Sequence, residues 1–355
     1  MNSIIDLFSG CGGMSLGFEH AGFKVLLGID NDSMALHTFE SNHKEAKTLC
    51  DDITQVGYSK IKEIIGEQAI DVIIGGPPCQ GMSLSGFRNY DDPRNRLYLS
   101  YIRLVKEIQP KAFVIENVPG LAALFGGAIK DSILEEFSKL GYSVKYKILV
   151  ASDYGVPQRR KRIIFVGIKG NINNFIFPDP FGCEICCEMA LSDLPPLNGA
   201  FLGSEIQEYM STPLSNYQTL MRKNSEKVYN HIAAEHSERV KEIISLVPNG
   251  GNYKDLPEEF KQSRNFHVAW TRFNRNKTAP TIDTGHRHHF HYEYNRVPTV
   301  RECARLQSFP DDFIFYGNKT QQFRQVGNAV PPLMAQAIAE SLKNYLEEGN
   351  NVYST

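Results

Sequence analysis

The most reactive prospect in the chain is a cysteine framed by prolines and glycines, Gly75-Gly76-Pro77-Pro78-Cys79-Gln80-Gly81. The prolines fix the approach to Cys79 and the glycines permit a sharp turn, so the thiol is presented on a shaped loop. A lone cysteine is usually a buried structural thiol. Here the framing, at the end of the apolar run 69–75, favours a nucleophile. A second apolar run ends in Glu116-Asn117-Val118-Pro119, and a carboxyl at the same sheet edge as the thiol can act as a general acid towards a bound ligand. Further on, Gln158-Arg159-Arg160-Lys161-Arg162 is a basic run; alternation along a strand would aim Arg160 and Arg162 to one side, although such runs are more often solvated faces. The N-terminal stretch 6–17 reads as a strand opening into a glycine turn, with Gly10, Gly12 and Gly13 letting the backbone come close to a ligand. About 20 residues later Asp30 closes the next apolar run, where a carboxylate can hold a pair of ribose hydroxyls. Asp52 after a short third strand could accept from an adenine amino group, with Ile53 against the ring. Together these features describe a nucleotide-like ligand beside a nucleophilic thiol.

Such groups need a scaffold. The runs 4–8, 24–29, 69–75, 112–116, 143–150 and 162–168 suit buried parallel strands. Amphipathic stretches of helical length, such as 32–41, 96–108 and 129–140, lie between them. That alternation predicts a doubly wound α/β sheet with ligands at the carboxyl ends of its strands. From about 171 to 298 the pattern gives way to Pro, Gly, Asn and Ser clusters with one plausible helix, 237–246; then 299–307 and 331–346 look helical again. The expected organisation is a first domain over 1–175, a smaller irregular domain over 176–310, and a return to the first over 311–355. With 42% hydrophobic and 22% charged residues, the chain can bury a sizeable core and is not a disordered polymer. No run is long enough to span a membrane and the first residues lack a signal-peptide pattern, so a cytoplasmic protein is expected. Seven cysteines suggest free thiols in a reducing compartment.

Lys+Arg 38 against Asp+Glu 40 excludes a uniformly basic binder but not a basic face. The window 261–301 holds eight Lys or Arg against two acids, and five of the ten histidines, interleaved with aromatics. A solvated face is the plain reading; a surface that neutralises phosphates and reaches base edges is the sharper one. Arg272 and Arg287 are candidates for base contact, flanking 279–282, which reads as a short strand, while Lys261 and Lys277 suit phosphate.

In this order the motifs resemble the bacterial-type DNA cytosine-5 methyltransferase family: Asp6–Gly13, Asp30, Asp52-Ile53, Pro77-Pro78-Cys79-Gln80, Glu116-Asn117-Val118, 158–162, 301–310 and 325–331. The likeness covers nearly the whole chain except about 171–290, where the family's recognition segments vary. It implies a Rossmann-like, S-adenosylmethionine-dependent catalytic domain, a smaller recognition domain, and double-stranded DNA in the cleft between them. It implies Cys79 as the nucleophile on carbon 6 of a flipped-out cytosine, Glu116 at ring nitrogen 3, Asn117 orienting the site, and Arg162 at the cytosine carbonyl with Arg160 beside it. For the cofactor it implies Asp6, Phe8 and the Gly10–Gly13 turn at the methionine end, Asp30 at the ribose, Asp52 and Ile53 at the adenine, Pro78 and Leu97 lining the site, and Asn328 near the methionine. Gln80 and Ser83 would follow the base and the DNA backbone. A monomer is expected. A restriction endonuclease sharing the target, or an orphan modification enzyme, is implied equally.

Three rivals share some of these residues. A tRNA-modifying relative keeps the fold, but its Cys-Phe-Thr tripeptide is absent. A catalytically dead DNA-binding module would not need Cys79, Glu116 and Arg162 together. A nicotinamide oxidoreductase leaves Pro77–Gln80 unexplained. A Cys183-x-x-Cys186 spacing and the His-rich stretch 286–291 suggest a metal only weakly, since no second pair stands at a suitable distance.

Overall fold

The computed structural model describes residues 1–78, 96–182, 184–199, 201–261, 270–285 and 288–352. The chain divides into two compact units, one built from 1–150, 161–180 and 332–355, the other from 151–160 and 181–331. The main segment of the second unit is Phe181–Pro331, and the chain from Pro332 belongs to the first. The second unit also takes in the ten-residue stretch Ala151–Arg160, for which the composition offers no signal.

In the first unit strands and helices alternate: β1 (Ser3–Leu7), α1 (Gly13–His20), β2 (Lys24–Asp30), α2 (Ser33–Asn42), β3 (Lys47–Cys50), α3 (Tyr58–Ile65), β4 (Val72–Gly75), α4 (Arg96–Ile108), β5 (Ala112–Asn117), α5 (Ala128–Lys139), β6 (Tyr142–Val150) and β7 (Lys161–Lys169). They form one seven-stranded sheet in the order β3-β2-β1-β4-β5-β7-β6. The five strands from β3 to β5 run parallel. β7 is antiparallel to both β5 and β6, which corrects the expectation of parallel strands over 143–150 and 162–168. An apolar run reports burial, not direction: Ile163–Ile168 is buried because β7 has a strand on each side. β6 forms the sheet edge and is exposed over Tyr146–Ile148, with Lys147 among the residues that discourage further pairing.

Alternation along the strands sorts side chains by face. Ile5, Leu7, Leu27, Ile29, Ile73, Phe113 and Phe165 join residues of α3, α4 and α5, among them Ile61, Tyr101 and Phe137, in one core cluster. Tyr101 sends its hydroxyl to the main-chain oxygens of Ile73 and Val114, 3.0 and 3.1 Å away, and so fastens α4 to β4 and β5. The intervening positions, including Asp6, Asp30, Glu116 and Arg162, belong to the opposite face. There α1 packs along the terminal helix Pro332–Val352. Gly17 makes that approach possible, since a Cβ on it would lie 2.5 Å from the Ala335 Cβ and from the Pro332 carbonyl oxygen. At the start of α2, the Asp32 side chain accepts from the amides of Met34 and Ala35, a cap worth about 1 kcal/mol.

The second unit is irregular. It carries two small sheets among its described residues, β8 (Ile206–Glu208) with β9 (Lys227–Tyr229) and β10 (Thr271–Arg272) with β11 (His289–Phe290). The stretch 279–282 forms no strand; Ala279 makes a single bridge to Gln158. Buried charges hold the unit together. Helix Val300–Leu306 starts with a capping box between Thr299 and Glu302. Glu302 takes both ends of the Arg296 guanidinium at 2.6 and 2.8 Å, and Arg305 lies between Asp193 and Asp311, each at 2.6 Å. Arg301 donates to the carbonyls of Tyr229, Pro310 and Phe313. Removing one member would strand an uncompensated buried charge, at a cost of about 3–5 kcal/mol. Among the described residues no helix is long and apolar enough to cross a membrane.

Candidate active site

β1 leaves the sheet at Leu7 and the chain enters the turn with Phe8 in a left-handed conformation, φ 63°. That is uncommon for a bulky residue and marks a constrained backbone at the strand edge. Gly12, the cap of α1, has φ 94°, and a Cβ there would come 2.1 Å from the His43 ring and 2.8 Å from Phe39; no other residue fits. Inside this turn the Ser9 hydroxyl is buried and makes no hydrogen bond. Asp6, one residue before the strand end, is buried and accepts from the Ser15 hydroxyl of α1 at 2.7 Å. Burial pushes its carboxyl up to about 7.

Asp30 closes β2 as the sequence predicts. One of its oxygens accepts from the Gly10 amide at 2.8 Å and the other from the Asp32 amide at 2.9 Å. The glycine turn and the acid are thus locked together. Burial raises the Asp30 carboxyl, and the amides of Asp32, Gly10 and Asn31 oppose it. At the end of β3, Asp52 is exposed and accepts from the Thr54 amide, while Ile53 is buried. Leu97 on α4 packs against the core of the same unit.

Glu116 and Asn117 end β5. Asn117 is buried and donates from Nδ2 to the Pro77 carbonyl at 2.9 Å, so β5 holds the turn that leads to residue 79. Pro77 is buried and Pro78 exposed. Glu116 Oε1 meets Arg162 Nε at 2.6 Å. Glu116 pairs with Ile164 in the ladder, so Arg162, two residues along β7, shares its face. The other oxygen, Oε2, faces Gly76, where a Cβ would approach to 3.0 Å. A side chain at 76 would crowd that oxygen. The site can therefore present a fixed carboxyl and a guanidinium to one polar ring edge.

Arg160 takes a different place. β7 begins at Lys161, so Arg160 precedes the strand and the alternation argument does not reach it. It is buried in the second unit, where it donates to the carbonyls of Ile282 and Gly327 at 3.1 and 2.9 Å. Arg272, expected to reach a base, is likewise turned to main-chain acceptors. It is buried and donates to the carbonyls of Ile244, Val247 and His291 and to the Asn295 side chain. Asn328 ends helix Lys319–Asn328 in the second unit and is exposed. Cys79, Gln80, Ser83, Arg287 and Cys183 lie outside the described residues. Among the described residues no group of three or more His, Cys, Asp or Glu converges on a metal position. Sequence reading missed Ser9 and Ser15. Ser9 was visible inside the glycine motif; nothing in the spacing marks Ser15 as the partner of Asp6.

A seven-stranded sheet of this order, with its chemistry at the strand ends, agrees with the comparisons. The family model for C-5 cytosine-specific DNA methylases matches residues 2–344, and the chain belongs to that family. It is 41% identical to the Type II methyltransferase M.DdeI of Desulfomicrobium norvegicum over 376 residues, covering 98% of this chain and 90% of that protein. It is 41% identical to the Type II methyltransferase M1.HphI of Haemophilus parahaemolyticus, over 95% of this chain and 86% of that one. Among solved structures, a DNA modification methyltransferase encoded within an E. coli prophage superposes with a TM-score of 0.80 at 31% identity, covering 98% of this chain and all of that one. The protein is a DNA cytosine-5 methyltransferase.

Proposed function

We propose that this enzyme takes the methyl group from S-adenosylmethionine and places it on carbon 5 of a cytosine within a specific double-stranded DNA sequence, as a Type II modification enzyme whose natural partner is an endonuclease with the same target. The observation that carries the reading is the Glu116–Arg162 pair on the edge whose preceding turn Asn117 clamps. Carbon 5 of cytosine is a poor nucleophile. A Cys79 thiolate adding to carbon 6 turns the ring into an enamine, with Glu116 at ring nitrogen 3 preventing build-up of negative charge and Arg162 donating to the ring carbonyl. Loss of the carbon-5 proton and release of Cys79 restore the enzyme. The target carbon is inside the duplex, so the base must be flipped out, with Gln80 and Ser83 following the base and the backbone and Arg287 as a candidate base reader.

The residues present suit the cofactor. A buried Ser9 hydroxyl without a hydrogen-bond partner among the described residues is a donor for a polar end of the ligand. Asp30 offers two oriented oxygens to a ribose. Ile53 and the exposed Asp52 suit adenine, and the family likeness adds Phe8, Pro78 and Leu97 to the pocket. When bound, S-adenosylmethionine supplies the electrophilic methyl group.

Bisulfite sequencing of DNA from a host expressing the chain should show protected cytosines in one sequence context. Duplex DNA with 5-fluorocytosine at that position should give a covalent adduct with the protein by mass spectrometry, because fluorine replaces the proton that must leave. Protection without an adduct, or an adduct that persists in Cys79→Ala, would remove Cys79 from the chemistry.

A further inference from the structure

We infer that Asp6, buried beneath the glycine turn on the Ser15 hydroxyl and beside Asp30, senses the charge of the bound cofactor: its carboxyl shifts towards the ionised form, releasing a proton to solvent, when the cationic methyl donor binds, and does not when the neutral thioether product binds. This rests on the cofactor reading above.

The argument begins with position. Asp6 aligns with Gly28 on β2, so Asp30, two residues along, lies on the same face of the sheet. The acid beneath the turn and the acid proposed to hold the ribose are thus close neighbours at one strand edge. Asp6 is 1% exposed, which leaves water no part in stabilising its charge. Its surroundings offer little else. α1 contributes the Ser15 hydroxyl and amide, which favour the ionised form, and β2 contributes Asp30, which opposes it. The turn contributes Cys11, whose buried thiol is pushed up to about 12 and stays neutral. Across the sheet, on the opposite face, stands the Tyr101 phenol of α4, raised well above its usual value by burial and so neutral. On β4 the residue beside Asp6 is Ile74, and the buried residues of the terminal helix are apolar ones such as Met334, Ala335 and Ile338. An acid held by one hydroxyl and faced by another acid is poised near neutrality, where burial has moved it to about 7.

The ligands differ in the right property. Donor and product share the ammonium, the carboxylate, the ribose and the base, and only the donor carries a sulfonium charge. A unit positive charge within roughly 8 Å, at an effective dielectric of about 20, shifts an ionisation more than tenfold. Only the Asp6 O–H bond breaks, and the proton goes to bulk water. By linkage, rising pH must then strengthen binding of the donor relative to the product.

The test is calorimetry with S-adenosylmethionine and with S-adenosylhomocysteine in buffers of different ionisation enthalpy, near pH 7. Because the amines of the ligands titrate too, the quantity of interest is the wild-type proton count minus that of Asp6→Asn. That difference should be a substantial fraction of one proton for the donor and near zero for the product. The donor-to-product affinity ratio should rise several-fold between about pH 6 and pH 8 in the wild type and less in Asp6→Asn. Ser15→Ala removes a hydrogen bond that favours ionisation, so its release window should move to higher pH. This arm remains informative if the Asn variant does not fold. Equal release in wild type and Asp6→Asn, with loss of release in Asp30→Asn, would assign the proton to Asp30 and overturn the inference. Donor binding without any difference between the variants sinks it equally. Absence of donor binding in the wild type would instead refute the cofactor reading.

Discussion

Glu116 keeps its two oxygens in different company: Arg162 fixes one, and the other lies against Gly76, where a side chain would crowd it. Gly76→Ala should therefore lower kcat by roughly tenfold or more, about 1.4 kcal/mol, with cofactor affinity unchanged. Loss of cofactor binding in that variant, read by calorimetry, would show that residue 76 serves the turn rather than the carboxyl. Asp30→Ala should weaken cofactor binding by about 1.5–3 kcal/mol and DNA binding much less, since a charge-assisted ribose contact is lost. Unchanged cofactor affinity would mean that the ribose is held elsewhere. These residues were legible because each stands where an apolar run stops, and a polar residue at the carboxyl end of a buried strand has few other reasons to be there. Arg160 and Arg272 show the limit. Local sequence cannot reveal which carbonyls tertiary folding will bring within reach of a guanidinium, and both side chains are engaged by such carbonyls.

At the level of elements, period and burial identified six strands of the sheet and the helices between them, but not the direction of β6 and β7. Direction depends on how the chain returns, and the return loop Ala151–Arg160 belongs to the other unit. In the second unit hydrophobic periodicity is weak because much of its order comes from buried guanidinium groups and not from amphipathic faces. Arg272 joins the carbonyls of helix Glu238–Leu246 and of its C-terminal end to the segment after β11. Arg272→Met would leave those acceptors unpaired, and denaturant melts should show a loss of about 3 kcal/mol or more. Binding to target and unrelated DNA should then fall together. A fully stable variant with altered preference at one base pair would restore Arg272 as a base reader.

At the level of the whole molecule, two buried groups with opposite pH responses shape stability. Burial holds His291 down to about 3 from 6.5, so its neutral form contributes fully above 6.5 and that contribution drains away as the pH falls towards 3. Asp6 is raised from 3.8 to about 7, so its contribution is complete below 3.8 and is lost as the pH rises through 7. In Asp6→Asn the second effect disappears. Denaturant melts should therefore show a larger gain in stability from about pH 5 to pH 8 in the variant than in the wild type. An identical pH profile in the two proteins would mean that Asp6 ionises in the fold as readily as in the unfolded chain.

The terminal helix has a consequence for the order in which the protein comes into being. α1 is synthesised well before the helix it packs on, and the surface that Gly17 shapes for Ala335 waits for its partner until Pro332–Val352 has been made. The whole second unit is translated in that interval. The nascent chain thus carries an uncovered apolar groove through most of its elongation, a situation that invites chaperone binding and penalises premature termination. A chain stopped after Pro331 should collect in the insoluble fraction, and the missing segment supplied as a separate peptide should return part of it to solution. A soluble, cooperatively melting product without that segment would mean that the sheet closes before its last helix arrives.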